Sequence, residues 1–145
     1  MLVNNELLLR QRIIAHEGKS PYAYKDSLGY LTIGIGRVCD ARLHQGLTED
    51  EMQYLLTNDI SNAKADLLPY TWYQLLDEVR RGVLVELVFN IGLTHLLEFK
   101  KMLAALLALD YDTAADEMLN SLWAKQVGLI RSQDMATRLK TGSYA

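Results

Sequence analysis

A single cysteine, Cys39, among 145 residues excludes an internal disulfide and suits folding in a reducing cytoplasm. The three histidines, His16, His44 and His95, stand at no metal-ligand spacing from one another, so no zinc site, other metal or cofactor is expected. No apolar run approaches the ~20 residues of a membrane span. The N-terminal segment is interrupted by Asn4, Asn5, Glu6, Arg10 and Arg12, and neither stable membrane insertion nor an export signal is expected. Basic residues are not in excess: 15 Lys and Arg against 18 Asp and Glu give a formal charge of −3, which argues against a nucleic-acid partner. Repeats and low-complexity linkers are also missing. A chain of this length buries roughly two-thirds of its unfolded surface and needs no covalent staple.

What is present is mostly helical periodicity around one short strand-forming stretch. Glu6 to His16 reads as a helix that Gly18 ends. Thr48-Glu49-Asp50-Glu51 is a capping box, after which Met52, Leu55, Leu56, Ile60, Ala63 and Leu67 recur at helical spacing until Pro69. A helix of about 18 residues is about 27 Å long, enough to join two lobes. Further helices are expected at Val79 to Ile91, Leu96 to Leu109, Asp112 to Trp123 and Leu129 to Lys140, punctuated by Gly92, Asp110 and Gly128. Leu84, Leu87, Val88, Met102, Leu103, Leu106, Leu107, Met118, Leu119, Leu122 and Trp123 form their expected core.

The chemistry concentrates before residue 37. Glu17 stands at the negative end of the first helix dipole, which disfavours its charged form and suits a general acid. Asp26 opens the turn Asp26-Ser27-Leu28-Gly29, where backbone N–H groups favour an ionised carboxylate and suit a base or nucleophile. Glycoside hydrolysis needs such a pair of carboxyl groups. Beyond the turn, alternation sets Leu31, Ile33 and Ile35 towards a core, with Thr32, Gly34 and Gly36 on the other face. That face carries little bulk. A sugar chain can lie against Gly34 and Gly36 while the Thr32 hydroxyl orients a water. Gly34-Ile35-Gly36 is not a dinucleotide fingerprint, since Cys39 stands where the third glycine is required and no helix follows.

An acidic residue before glycine, then Tyr24-Lys25-Asp26, Gly29-Tyr30 and Thr32-Ile33-Gly34-Ile35-Gly36, resembles the phage T4-type lysozymes, glycoside hydrolase family 24. The likeness continues through Arg80-Arg81, Val88-Phe89-Asn90-Ile91-Gly92, Phe99, Trp123 and Thr141-Gly142-Ser143-Tyr144. It implies an α+β, mostly helical, lysozyme-like fold in one catalytic domain over residues 1–145. A mixed lobe spans about 15–48, a helical lobe 68–145 plus 1–14, and a connecting helix 49–67, with the active-site cleft between the lobes. It also implies Glu17, Asp26 and Thr32 as the catalytic set. Asn90 matches a cleft-facing amide that binds an N-acetyl sugar, or else satisfies backbone groups near a helix end. Arg131 falls where the family carries an arginine near its catalytic glutamate, although Ser132 replaces the usual following basic residue and a surface charge is the other reading. Arg37 stands where a histidine often occurs. The resemblance implies a monomeric endolysin-type muramidase acting on peptidoglycan glycan strands. Such an enzyme is held in the host bacterial cytoplasm until a holin opens the way to the periplasmic wall. A lytic transglycosylase and a non-catalytic peptidoglycan-binding or morphogenetic protein are the alternatives.

Overall fold

In the computed structural model, which describes residues 4–144, Asn4 opens the first helix by accepting the Leu7 N–H on its side chain at 3.1 Å. Helix α1 runs over Asn5–Glu17 and stops at Gly18, whose N–H returns to the Ile14 carbonyl at 2.8 Å. Strands β1 (Ser20–Lys25), β2 (Leu31–Gly34) and β3 (Arg37–Val38) then form one antiparallel sheet in that order. Tyr24 pairs with Thr32 and Lys25 with Leu31 across the first hairpin, and Thr32 pairs with Val38 across the second. A one-turn 3-10 helix, Ala41–Leu43, follows with Asp40 as its cap.

The sheet corrects the expected facing of the strand. Leu31 and Ile35 are 42% and 41% exposed, whereas Thr32 is 3% exposed. Strand β2 is only four residues long, so Ile35 and Gly36 make the turn into β3 and leave the alternation. Alternation tells which side chains share a face, and packing decides which face is covered.

Helix α2 (Glu49–Leu67) begins with the expected capping box: the Thr48 N–H donates to Glu51 Oε1 at 2.9 Å and the Glu51 N–H to Thr48 Oγ1 at 3.3 Å. The chain divides into two compact units, Met1–Gln53 and Tyr54–Ala145. The second unit is built by the rest of α2, α3 (Thr71–Gln74), α4 (Glu78–Leu96), α5 (Lys100–Leu107), α6 (Tyr111–Leu119), α7 (Leu122–Val127) and α8 (Leu129–Thr141). Helix α8 packs on α4, α6 and α7, and α5 on α3 and α6. Leu67, Leu84, Leu87, Leu96, Met102, Leu106, Met118, Met135 and Leu139 are fully buried among them, each contributing about 1.5–3 kcal/mol by burial.

Three expected core residues lie outside: Leu107, Leu119 and Leu122 are exposed, because α5, α6 and α7 are short and each buries one face. Met52, Leu55 and Leu56 of α2 are likewise exposed, and only Ala63 and Leu67 of that stripe are buried. The helix expected over Asp112 to Trp123 is two helices, since Ser121 caps α7 by accepting the Ala124 N–H. Gly92, at φ +80° and ψ 161°, leaves the helical conformation and breaks α4 after Ile91, where the punctuation is expected, and the helix resumes beyond it to Leu96. Arg80 ties the end of α8 to α4: its guanidinium donates to the Leu139 and Lys140 carbonyls and to Asp77, each at 2.7 Å, and lies 3.6 Å over the Tyr111 ring. Eight helices and one three-stranded sheet among the described residues make the chain α+β and mostly helical.

Candidate active site

The first unit carries both carboxylates and the threonine. Glu17 is the last residue of α1, exposed, and its carboxyl group lies against the backbone of Gly36. A Cβ built on Gly36 would stand 2.8 Å from Glu17 Oε2 and 3.0 Å from its Cδ and Cγ. Gly36 also has φ +68°, in the left-handed region that side chains disfavour. The bare surface expected there for a sugar is the seat of the Glu17 carboxylate. Gly34 has φ +69° with no other atom within 4 Å of its Cβ position, so open space adjoins it.

Asp26 is fixed by its own turn. Its Oδ1 accepts the N–H groups of Leu28 and Tyr30, both at 2.9 Å, while the Gly29 N–H closes the turn on the Asp26 carbonyl at 3.0 Å. The Tyr30 carbonyl accepts twice, from the Asp26 N–H at 2.8 Å and from the Thr32 hydroxyl at 3.1 Å. One peptide group therefore joins Asp26 and Thr32. With its hydrogen committed to Tyr30, the Thr32 oxygen is left as an acceptor. This corrects the expectation of a hydroxyl projecting from an open face, because Thr32 is buried and anchored.

Arg37, next to Gly36, pairs with Glu51 and so ties β3 to the capping box of α2. The Thr48 N–H and hydroxyl, with Arg37, hold Glu51 below the usual carboxylate range. Two residues that sequence reasoning missed support the Asp26 turn, namely Asp40 and Arg42. The Arg42 guanidinium and the Leu31 N–H hold the Asp40 carboxyl far below its ordinary range. The available signal was Asp40-Ala41-Arg42 itself, an Asx cap two residues before a cation.

Asn90 and Arg131 belong to the second unit. Asn90 Oδ1 accepts the Trp123 indole N–H at 2.9 Å, beside an open hollow of about 420 Å³ that His95, Glu98, Phe99 and Gln126 also line. Arg131 lies 3.8 Å from Glu86. Arg138 shares Glu86 at 2.7 Å and pairs with Asp134 at 2.8 Å. Burial works against the Arg138 charge, but Glu86 and Asp134 more than offset it and hold its pKa above the ordinary value. Arg131, Arg138 and Glu86 line a groove of about 830 Å³ together with Leu56, Ile60 and Phe89.

Residues 14–140 match the phage lysozyme family. Probable T4-type lysozyme 1 of Dictyostelium discoideum is 28% identical over 154 aligned positions, covering 88% of this chain and 90% of that protein. Probable T4-type lysozyme 2 of the same organism is 25% identical over 162 positions, covering 93% and 95%.

Proposed function

This chain belongs to the phage lysozyme family, and from that premise we propose that it is an N-acetylmuramidase cutting the β-1,4 bond between N-acetylmuramic acid and N-acetylglucosamine in peptidoglycan. Family membership supports the coarser statement directly: a lysozyme-type glycoside hydrolase with peptidoglycan as substrate. The observation that carries the finer reading is the Tyr30 peptide, which bonds Asp26 and Thr32 together in the unit where Gly36 seats the Glu17 carboxyl.

Glu17 is the proposed acid, protonating the departing glycosidic oxygen. Asp26, its Oδ1 occupied by two N–H groups, takes a proton from water through the rest of its carboxylate. Thr32 can only accept from that water. A water that donates one hydrogen to Asp26 and the other to Thr32 has its lone pair directed away from both, towards the anomeric carbon. This supports an inverting displacement, for which the two carboxyl groups stand about 6.5–9.5 Å apart. Gly34, with open space beside it, is a proposed backbone contact for the sugar, and Gly36 acts through Glu17. On the second unit, the Asn90 Nδ2 and the 40% exposed Arg131 side chain are proposed contacts for polar groups of the glycan. The assignment as a monomeric endolysin, held in the host cytoplasm until a holin permits access to the wall, rests on the motif resemblance.

The test is reducing-end release from purified peptidoglycan, with the anomer of the new end followed by proton NMR. Glu17→Gln and Asp26→Asn abolish release, and the wild-type product first appears as the α-anomer. A β-anomer would replace the inverting route with a covalent one, and full activity of Glu17→Gln would remove Glu17 from the reaction.

A further inference from the structure

The turn that presents Asp26 is held by two residues with no part in the proposed bond cleavage. Asp40 is 3% exposed, and its Oδ2 accepts the Leu31 N–H at 2.9 Å. Arg42 donates to the same carboxylate from its backbone N–H at 3.0 Å, from Nε at 2.9 Å and from Nη2 at 2.7 Å. The Nη2 group also donates to the Gly29 carbonyl at 2.8 Å, and the guanidinium carbon sits 5.1 Å from the centre of the Tyr30 ring. Residues 29–31 are thus gripped at a carbonyl, a ring and an N–H.

That same segment holds the proposed base. The Tyr30 N–H donates to Asp26 Oδ1, and the Tyr30 carbonyl accepts from the Asp26 N–H and the Thr32 hydroxyl. We infer that Arg42, seated by Asp40, is a positioning residue for hydrolysis: it fixes the Tyr30 peptide and through it the orientation of the Asp26 carboxylate and the Thr32 oxygen. The inference rests on the proposed role of Asp26. Arg42 is suited to the task because its planar fork reaches two acceptors at once, which a lysine ammonium does not reproduce. Its side chain is 65% exposed, so removing it opens no cavity in the unit. The buried partner, Asp40, is the poorer target, since its loss strands the Leu31 N–H as well.

The experiment compares kcat and KM of wild type, Arg42→Ala, Arg42→Lys and Asp26→Asn on soluble peptidoglycan fragments, with thermal melts and amide hydrogen exchange for each. Arg42→Ala lowers kcat about tenfold, because displacing a reacting group by a fraction of an ångström weakens alignment. KM stays within about twofold, because no substrate contact is lost. The amides of Leu28 and Tyr30 exchange faster, and Arg42→Lys recovers part of kcat. Wild-type kcat in Arg42→Ala beside an inactive Asp26→Asn overturns the positioning role and leaves Asp26 standing. A loss expressed mainly in KM overturns it in favour of direct substrate binding. Wild-type activity of Asp26→Asn overturns the reading of Asp26, whatever Arg42 does. If Arg42→Ala melts below the assay temperature, Arg42→Lys decides alone: reduced kcat at unchanged KM supports the role, and wild-type kcat overturns it.

Discussion

Gly36→Ala separates backbone strain from placement of the acid. At φ +68° an alanine costs about 1–2 kcal/mol. For a chain of this size, each kcal/mol lowers Tm by about 2–4 °C, so the expected fall is about 2–8 °C. The new methyl also meets Glu17 Oε2 at 2.8 Å and its Cδ and Cγ at 3.0 Å, closer than a Cβ packs. Glu17 is the exposed end of a helix, so it swings aside at little steric cost. The acid is then out of place by an ångström or more, which lowers kcat about a hundredfold. Gly128→Ala is the control, since Gly128 has φ +89° with no other atom within 4 Å of its Cβ position. It suffers a comparable loss of Tm with no displaced carboxylate and keeps wild-type kcat. Far-UV circular dichroism melts give the first quantity and peptidoglycan turnover the second. If Gly36→Ala turns over as fast as Gly128→Ala, the seating of Glu17 on Gly36 has no part in catalysis.

Acid weakens the fold through Asp110 as well as Asp40. The Thr113 hydroxyl and N–H hold Asp110 below the usual carboxylate range, so its stabilisation is present above about pH 4 and is lost as pH falls further; Asp110→Asn, which keeps the cap, narrows the Tm gap between pH 6 and pH 3. Arg80→Ala loses three hydrogen bonds and the Tyr111 stack, for about 2–4 kcal/mol in a urea titration, and Arg80→Lys restores little because it has no fork. Asn90→Ala strands the buried Trp123 N–H, at about 1–2 kcal/mol. Asn90→Asp keeps that acceptor but loses the Nδ2 donor, so it raises KM at nearly unchanged Tm if Asn90 holds a sugar amide.

Local signals were the most legible part of the chain. Gly18, the Thr48–Glu51 box and the Asp26 turn each depend on contacts within four residues, so type and spacing suffice to read them. Burial was less legible, because it depends on what covers a face. Thr32 is buried while Leu31 is exposed: alternation assigns them to two faces but not which face is covered. Leu107, Leu119 and Leu122 carry the helical period yet point outward from short helices. Least legible was the support of the site. In the sequence Gly36 offers room for sugar, whereas in the fold it makes room for Glu17, a contact across 19 positions of sequence that no local pattern encodes. The grip of Arg42 on Gly29 spans 13 positions and was likewise invisible. Asn90, by contrast, carries two alternatives in the sequence, and its bond to Trp123 is a third use of the amide, compatible with a free Nδ2 donor.

Mass spectrometry of purified peptidoglycan digested with wild type and with Glu17→Gln distinguishes a muramidase acting through Glu17 from every other reading. Muropeptides ending in reducing N-acetylmuramic acid, from the wild type alone, are the predicted result. Products ending in reducing N-acetylglucosamine or a 1,6-anhydro ring, or intact glycan from both proteins, would contradict it.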